Sequence, residues 1–236
     1  MHEIHFESID STSTYAKTYG NAFPSDQITC ITADEQTAGH GRFNRPWASP
    51  KGVNIYASFY FRLPQNTKHL TSLAQVMTAS MAAVLTHLNP KIKWPNDIQL
   101  NGKKVCGVLC ELTFQGEEVI AILGVGVNVN MEMSDLQKID KPATSLKAVT
   151  GHTWDQAELL KKLQKQFEND LEKFKKEGFD PFHDFFERSL CYKGEEIRCF
   201  DGKKEWVGTY HSLNEDGGLN IRLPDQTIHT IYTASE

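Results

Sequence analysis

The sequence predicts an α+β protein, a sheet with flanking helices followed by a small C-terminal β-barrel. Three observations carry that prediction. Apolar and polar residues alternate in "HEIHFESI", "QITCITAD" and "VNIYASFYFRL", the pattern of half-buried strands. Two later stretches space their apolar residues at helical intervals. Near residue 190 the composition shifts to short alternating runs separated by turn signals. The expected domains are therefore residues 1–188 and 189–236.

In chain order, "HEIHFESI" sets Ile4 and Phe6 against charged partners as a first strand. "DSTSTYAKTYG" has capping residues at one end and a glycine at the other, so a short helix follows. "QITCITAD" is a β-branched strand, and "GHGRFNRPWASPKG" (39–52) is a loop between it and the next strand. That strand alternates Ile55, Ala57, Phe59 and Phe61 with Tyr56, Ser58 and Tyr60. From Leu70 to Leu88, Leu73, Val76, Met77, Met81, Val84, Leu85 and Leu88 form one stripe of a helix that faces the sheet. "IKW" is a short strand before a tight Pro-Asn-Asp turn. "KVCGVLCELTF" and "EEVIAILGVGVNVN" make a hairpin around Gln115-Gly116. Thr153-Trp154-Asp155-Gln156 has capping-box spacing and opens a helix carrying Leu159, Leu163, Phe167, Leu171 and Phe174. The last 45 or so residues read as four or five short strands, near the lower size for an independent core, that should pack on the larger domain.

With 39% hydrophobic and 23% charged residues in 236, the chain has ample core material. A net charge of −5 argues against general nucleic-acid binding, which needs a basic excess. A locally basic loop in an acidic chain points instead to a small anionic ligand. The N-terminus "MHEIHFESID" has the pattern of neither a signal nor a transit peptide, and no uncharged apolar run approaches membrane length. Cys30, Cys106, Cys110, Cys191 and Cys199 form no C-x-x-C pair. Core packing, a reducing cytoplasm and no protein-held metal are the expectations.

Three segments are poorly suited to pure structure. In 39–52, backbone N–H groups at Gly39, Gly41 and Gly52 can wrap an anion while Arg42 and Arg45 make forked contacts to phosphate. In "KWPNDIQLNGKKVCGVLCE" (93–111), Lys104 starts an otherwise apolar strand and can reach a carboxylate or phosphate over the sheet. In "GVGVNVN" (124–130), strand alternation puts Val125, Val127 and Val129 on one face and Gly124, Gly126, Asn128 and Asn130 on the other. A face of missing side chains and amides suits close approach by a ligand or another backbone. Together these describe a glycine-lined floor, a cationic flap and one lysine at a reacting centre.

These segments, with "DSTS" (10–13) and "ATSL" (143–146), resemble the biotin protein ligases, or biotin–[acetyl-CoA-carboxylase] ligases, over essentially the whole chain. The resemblance implies a mixed sheet of class II aminoacyl-tRNA synthetase type and an SH3-like C-terminal domain. It also implies two steps: biotin and Mg-ATP give biotinyl-5′-AMP and pyrophosphate, then a lysine of a carboxyl-carrier domain takes the biotinyl group and releases AMP. By resemblance, Arg42 and Lys104 hold the carboxyl and α-phosphate, and Asp97 orients or deprotonates the incoming amine. Ser11, Thr12, Ser13 and Gln36 bond the polar head of biotin, with Gly39, Gly41 and Gly107 on the biotin side. His40, Arg45, Trp47, Asn96 and Asn128 fall on the nucleotide side. The family commonly has arginine at His40 and glycine at Asn44; histidine carries less dependable charge near neutral pH, and asparagine tolerates a left-handed turn.

Some relatives carry an N-terminal winged helix that represses transcription; this chain starts at the catalytic strand, so no DNA role is expected. Two other readings stay open, a lipoate or octanoate attachment enzyme and a non-catalytic biotin or adenylate sensor. Exposed edge strands allow pairing with a second copy, as a homodimer, or with the carrier.

Overall fold

In the computed structural model, residues 1–200 and 204–232 are described. β1 (His2–Ile9) leads to α1 (Thr12–Tyr19), which Ser11 caps by accepting from the Thr14 N–H at 3.3 Å. β2 (Thr29–Gln36) pairs parallel with β1, and β3 (Ile55–Pro64) pairs antiparallel with β2. β3 is buried on both faces rather than half-exposed. Phe59 and Phe61 face the helical layer, while Tyr60 packs under α1 with Ala16 and Phe23.

The stripe at 70–88 forms, but α2 itself spans Leu73–Val84 between two 3₁₀ turns. β4 (Lys91–Lys93) is followed by a turn, and the Trp94–Pro95 peptide is cis. Beyond the turn lies β5 (Asp97–Leu100), a strand that the turn-forming Pro-Asn-Asp sequence concealed. β6 (Lys103–Gln115) and β7 (Glu118–Val127) form the expected hairpin, with Gly116 at φ 62° in its turn. The seven-stranded order is β1-β2-β3-β7-β6-β5-β4, antiparallel except for β1–β2, so the sheet is mixed.

After two short helices, α3 (Met133–Leu136) and α4 (Leu146–Thr150), α5 runs from Gln156 to Glu177. Its cap is Asp155, accepting from the Glu158 N–H at 3.0 Å, and not Thr153. Asp155-x-x-Glu158 has the same spacing, and a carboxylate is as good a cap as a hydroxyl. α5 sets Leu163, Phe167 and Phe174 into the core beside α2, with Phe167 edge-on to Phe59. α6 (Asp180–Ser189), unforeseen in the sequence, buries Phe182 and Phe186. The C-terminal strands β8 (Glu196–Phe200), β9 (Glu205–Leu213), β10 (Leu219–Arg222) and β11 (Ile228–Ile231) form one antiparallel sheet. Its order is β11-β10-β9-β8, with no pairing of β8 to β11 among the described residues. Tyr210, Leu213, Leu219 and Ile221 join the main core, so this sheet docks on the larger unit. The Asp201-Gly202 turn signal lies outside the described residues.

All five cysteines are free. Cys106 is buried as expected, whereas Cys110 is half-buried. Among the described residues, no helix is long and apolar enough to cross a membrane.

Candidate active site

A cavity of about 960 Å³ opens over the β6–β7 end of the large sheet. Its walls come from the start of α1, the 40–48 loop, the 94–97 turn, residues 138–142 and the C-terminal sheet.

One end is neutral and polar. The Thr12 backbone N–H donates to Gln36 Oε1 at 2.9 Å, and the Thr12 hydroxyl lies 2.8 Å from Ser58 Oγ. Ser13 Oγ lies 2.9 Å from the same Ser58 oxygen. Gln36 Nε2 donates to Ser49 Oγ at 3.2 Å, and Ser49 donates to the Trp47 carbonyl at 2.9 Å. Ser11, Thr12 and Ser13 are buried, and their hydroxyls are fixed because the α1 cap and β3 hold them. A buried hydroxyl network of this kind selects a ligand with matched donors and acceptors, since an unmatched one leaves polar groups unpaired.

The other end is charged. Asp97 stands opposite Gly107 in the β5–β6 ladder, and its Oδ1 lies 2.7 Å from Lys104 Nζ. Lys104 Nζ also sits 5.2 Å from the centre of the Trp47 ring, a cation–π distance. Burial pushes the Arg42 guanidinium pKa below its ordinary value; Asp97 opposes that shift and Arg45 adds to it. Arg42 and Arg45 lie 5.2 and 5.8 Å from the centre of the Phe43 ring. Phe43 (φ 57°) and Asn44 (φ 54°) both adopt left-handed backbone, so asparagine does take the turn expected at 44. Seven Lys and Arg residues line the cavity against two Asp, which favours an anion.

The glycine floor serves close approach. A Cβ on Gly107 would meet Lys104 Nζ at 2.9 Å and Trp47 Cζ3 at 3.1 Å, and one on Gly126 would overlap the Trp47 indole. Trp47 thus lies flat on the glycines, and its Nε1 is buried with no hydrogen-bond partner among the described residues. His40 lies on the cavity lining, its Nδ1 3.3 Å from the Ala38 carbonyl. The Gly41 N–H donates to the Arg45 carbonyl at 2.8 Å and closes the loop.

Not every sequence candidate converges. Gly39 is buried behind the loop, where Trp47 N–H donates to its carbonyl, and it does not line the cavity. Asn128 also lies off the lining; its Nδ2 donates to the Thr144 carbonyl at 3.0 Å. Asn96 lines the cavity, but its amide donates to the Val108 carbonyl. Asn130 brackets Trp154 with two 2.9 Å bonds. These amides pin backbone, a use that one-dimensional alternation cannot distinguish from ligand binding. Sequence reasoning also missed the C-terminal wall, including Arg198 and Tyr210, and the Gln99 and 138–142 contributions. Gln99 shares a strand face with Asp97, but that signal needed β5 to be seen first. No cluster of three or more metal-ligating side chains occurs among the described residues.

The sequence profile of the biotin/lipoate A/B protein ligase family matches residues 5–128. The bifunctional ligase/repressor BirA of Bacillus spizizenii is 32% identical over 99% of this chain and 73% of its own length. The biotin–[acetyl-CoA-carboxylase] ligase of Paracoccus denitrificans is 30% identical over 82% of this chain and 84% of its own. Among solved structures, a biotin protein ligase from Aquifex aeolicus in complex with biotin and ATP superposes with a TM-score of 0.83. It is 32% identical and covers 98% of this chain and 96% of that one. With the profile spanning more than half of the chain and relatives aligning across nearly all of it, this protein belongs to the biotin/lipoate A/B protein ligase family.

Proposed function

We propose that this chain is a biotin–[biotin carboxyl-carrier protein] ligase, using biotin, Mg-ATP and a carrier lysine as substrates. The observation that carries this reading is the two-ended cavity: a neutral hydroxyl and amide network at one end, the Lys104–Asp97 pair beside Arg42 at the other. A ureido head carries donors and acceptors but no charge, which suits the Thr12, Ser13 and Gln36 end. The valerate carboxylate then reaches the cations.

In the first step a biotin carboxylate oxygen forms a bond to the α-phosphorus as the bond to pyrophosphate breaks. Negative charge accumulates on the α-phosphate, where Lys104, exchanging Asp97 for the phosphate, and Arg42 stabilise it. Arg45 and His40 serve the nucleotide, and Trp47 covers the forming anhydride and excludes water. Asn96 and Asn128 act on this side by holding the strands that frame it. In the second step Lys104 is engaged with phosphate, so the Asp97 carboxylate is released to orient the carrier ammonium and take its proton. The free amine attacks the acyl carbon and AMP leaves. A base is needed because a lysine amine is almost wholly protonated at neutral pH.

The reading divides the chain into a catalytic domain, residues 1–188, and a C-terminal domain, residues 189–236. α6 closing at Ser189 and β8 opening at Glu196 support that division. Five free cysteines fit a reducing cytoplasm. The test is to incubate the protein with a carrier domain and biotin, lipoate or octanoate, each with Mg-ATP. Mass spectrometry should show biotin alone joined to a single carrier lysine. Acylation by lipoate or octanoate in preference to biotin would move the assignment to the lipoate branch. Binding of biotin and ATP without transfer would make it a sensor.

A further inference from the structure

The turn that carries Asp97 is tied to the C-terminal sheet through one backbone oxygen. The Gly217 carbonyl, between β9 and β10, accepts from Trp94 Nε1 at 3.0 Å and from Gln75 Nε2 at 2.7 Å. Beside it, Ser72 Oγ donates to the Asp216 carbonyl. Gln75 is 4% exposed and Trp94 8%, so both bonds lie in a desolvated setting. Gln75 is a polar side chain on the buried face of α2, where an apolar residue would pack without needing a partner. A Cβ on Gly217 would fall on the Gln75 amide. A second cavity of about 170 Å³ touches Arg42, Asn96, Gln75 and Gly217, so the latch adjoins the flap cation as well as the turn.

We propose that Trp94 and Gln75 are positioning residues: by clamping the Gly217 carbonyl they hold the 94–97 turn so that Asp97 rests beside Lys104, placed to take the proton of the carrier lysine. This rests on the ligase reading above. The C-terminal sheet then acts on the chemistry through three residues of turn, not through contact with biotin. A carbonyl with two donors keeps one after either is removed and is orphaned, buried, after both are. The two losses are therefore non-additive. The hydroxyl network that meets the head of biotin lies at the other end of the cavity and is untouched.

The experiment uses the full chain with Trp94→Phe, Gln75→Leu, the double variant and Gly217→Ala. Biotin transfer to a carrier domain gives kcat and the KM for biotin, biotin-dependent ATP–pyrophosphate exchange reports the first step alone, thermal melting reports folding, and the ¹⁵N resonance of Lys104 Nζ reports the ion pair. Trp94→Phe, which alone unties the turn, should lower kcat by about tenfold, Gln75→Leu by roughly threefold, and the double by about a hundredfold, the scale of a 1 Å misplacement. The KM for biotin should stay within about twofold, and the Lys104 resonance should move in the double variant. Gly217→Ala, which removes no donor, should repeat the pattern more weakly and decides the matter if the double variant does not fold. Wild-type kcat in folded double variant or Gly217→Ala, or an unmoved Lys104 resonance, overturns the proposal. Absence of exchange in the wild-type protein counts against the ligase reading instead, while the Lys104 resonance still judges the latch.

Discussion

Lys104 and Asp97 are 2.7 Å apart, and Arg42 is close enough for Asp97 to oppose its loss of charge. Three charged groups so placed hold one another in position, and on the proposed reading a phosphate would replace Asp97 as the partner of the cations. Arg42→Ala and Lys104→Ala should keep the wild-type melting temperature but slow biotin-dependent ATP–pyrophosphate exchange by about a hundredfold to a thousandfold. Normal exchange in both variants would remove them from the first step. The cysteines give a pH effect of definite sign. Burial pushes the Cys30 and Cys106 thiols from about 9 up to about 12. The folded state therefore retains these protons longer than the unfolded chain does. Their contribution is complete below the unfolded thiol value and is lost as pH rises from about 9 towards about 12. Chemical denaturation at pH 8 and pH 10.5 should show a loss of stability that Cys106→Ala reduces; a loss unchanged by that substitution points to other groups.

Elements show where local signals compete. Thr153 and Asp155 both offer cap spacing, and the helix begins after the second. Asp155→Ala should cost about 1 kcal/mol, a typical cap loss, whereas Thr153→Ala should stay within about 0.5 kcal/mol. Urea melts of the two variants test this, and a larger loss at Thr153 would put the cap back there. On the same helix Phe167 is fully buried against Phe59 and Phe61. Phe167→Ala should cost about 3–5 kcal/mol through lost burial and the cavity left behind. The 39–52 loop was legible in sequence as a cationic flap, but the fold adds that its tryptophan lies flat on Gly107 and Gly126. β5 was not legible, because Pro-Asn-Asp spells a turn and gives no sign of the strand that starts on its last residue. α6 was missed for a similar reason. Its buried Phe182 and Phe186 form a stripe too short for periodicity to stand out.

At the scale of the whole molecule, an acidic chain concentrates cations in one cavity. Such a field weakens as salt screens it, so the KM for ATP should rise several-fold between about 0.05 M and about 0.5 M salt. The KM for biotin should rise less, because only its single carboxylate meets the cations while its polar head meets neutral groups. Steady-state kinetics across that range decide, and parallel changes in both constants would mean that salt acts on folding or on the flap.

Residue pattern alone is enough for six of the seven strands of the large sheet in chain order, for the shift to a small β unit near residue 190, and for the residue types at the charged end of the cavity. These are local properties: alternation, helical spacing and turn chemistry are written in neighbouring residues. Folding alone settled that Asn128 and Asn96 spend their amides on backbone carbonyls. It also decided that Arg198 and Tyr210 close the cavity and that Trp94 and Gln75 share the oxygen of Gly217. Those facts join residues more than a hundred positions apart in the last case, and such partners are selected by packing and by the need to satisfy buried polar groups. A one-dimensional pattern shows that an amide needs a partner, whereas the folded chain shows which one it has.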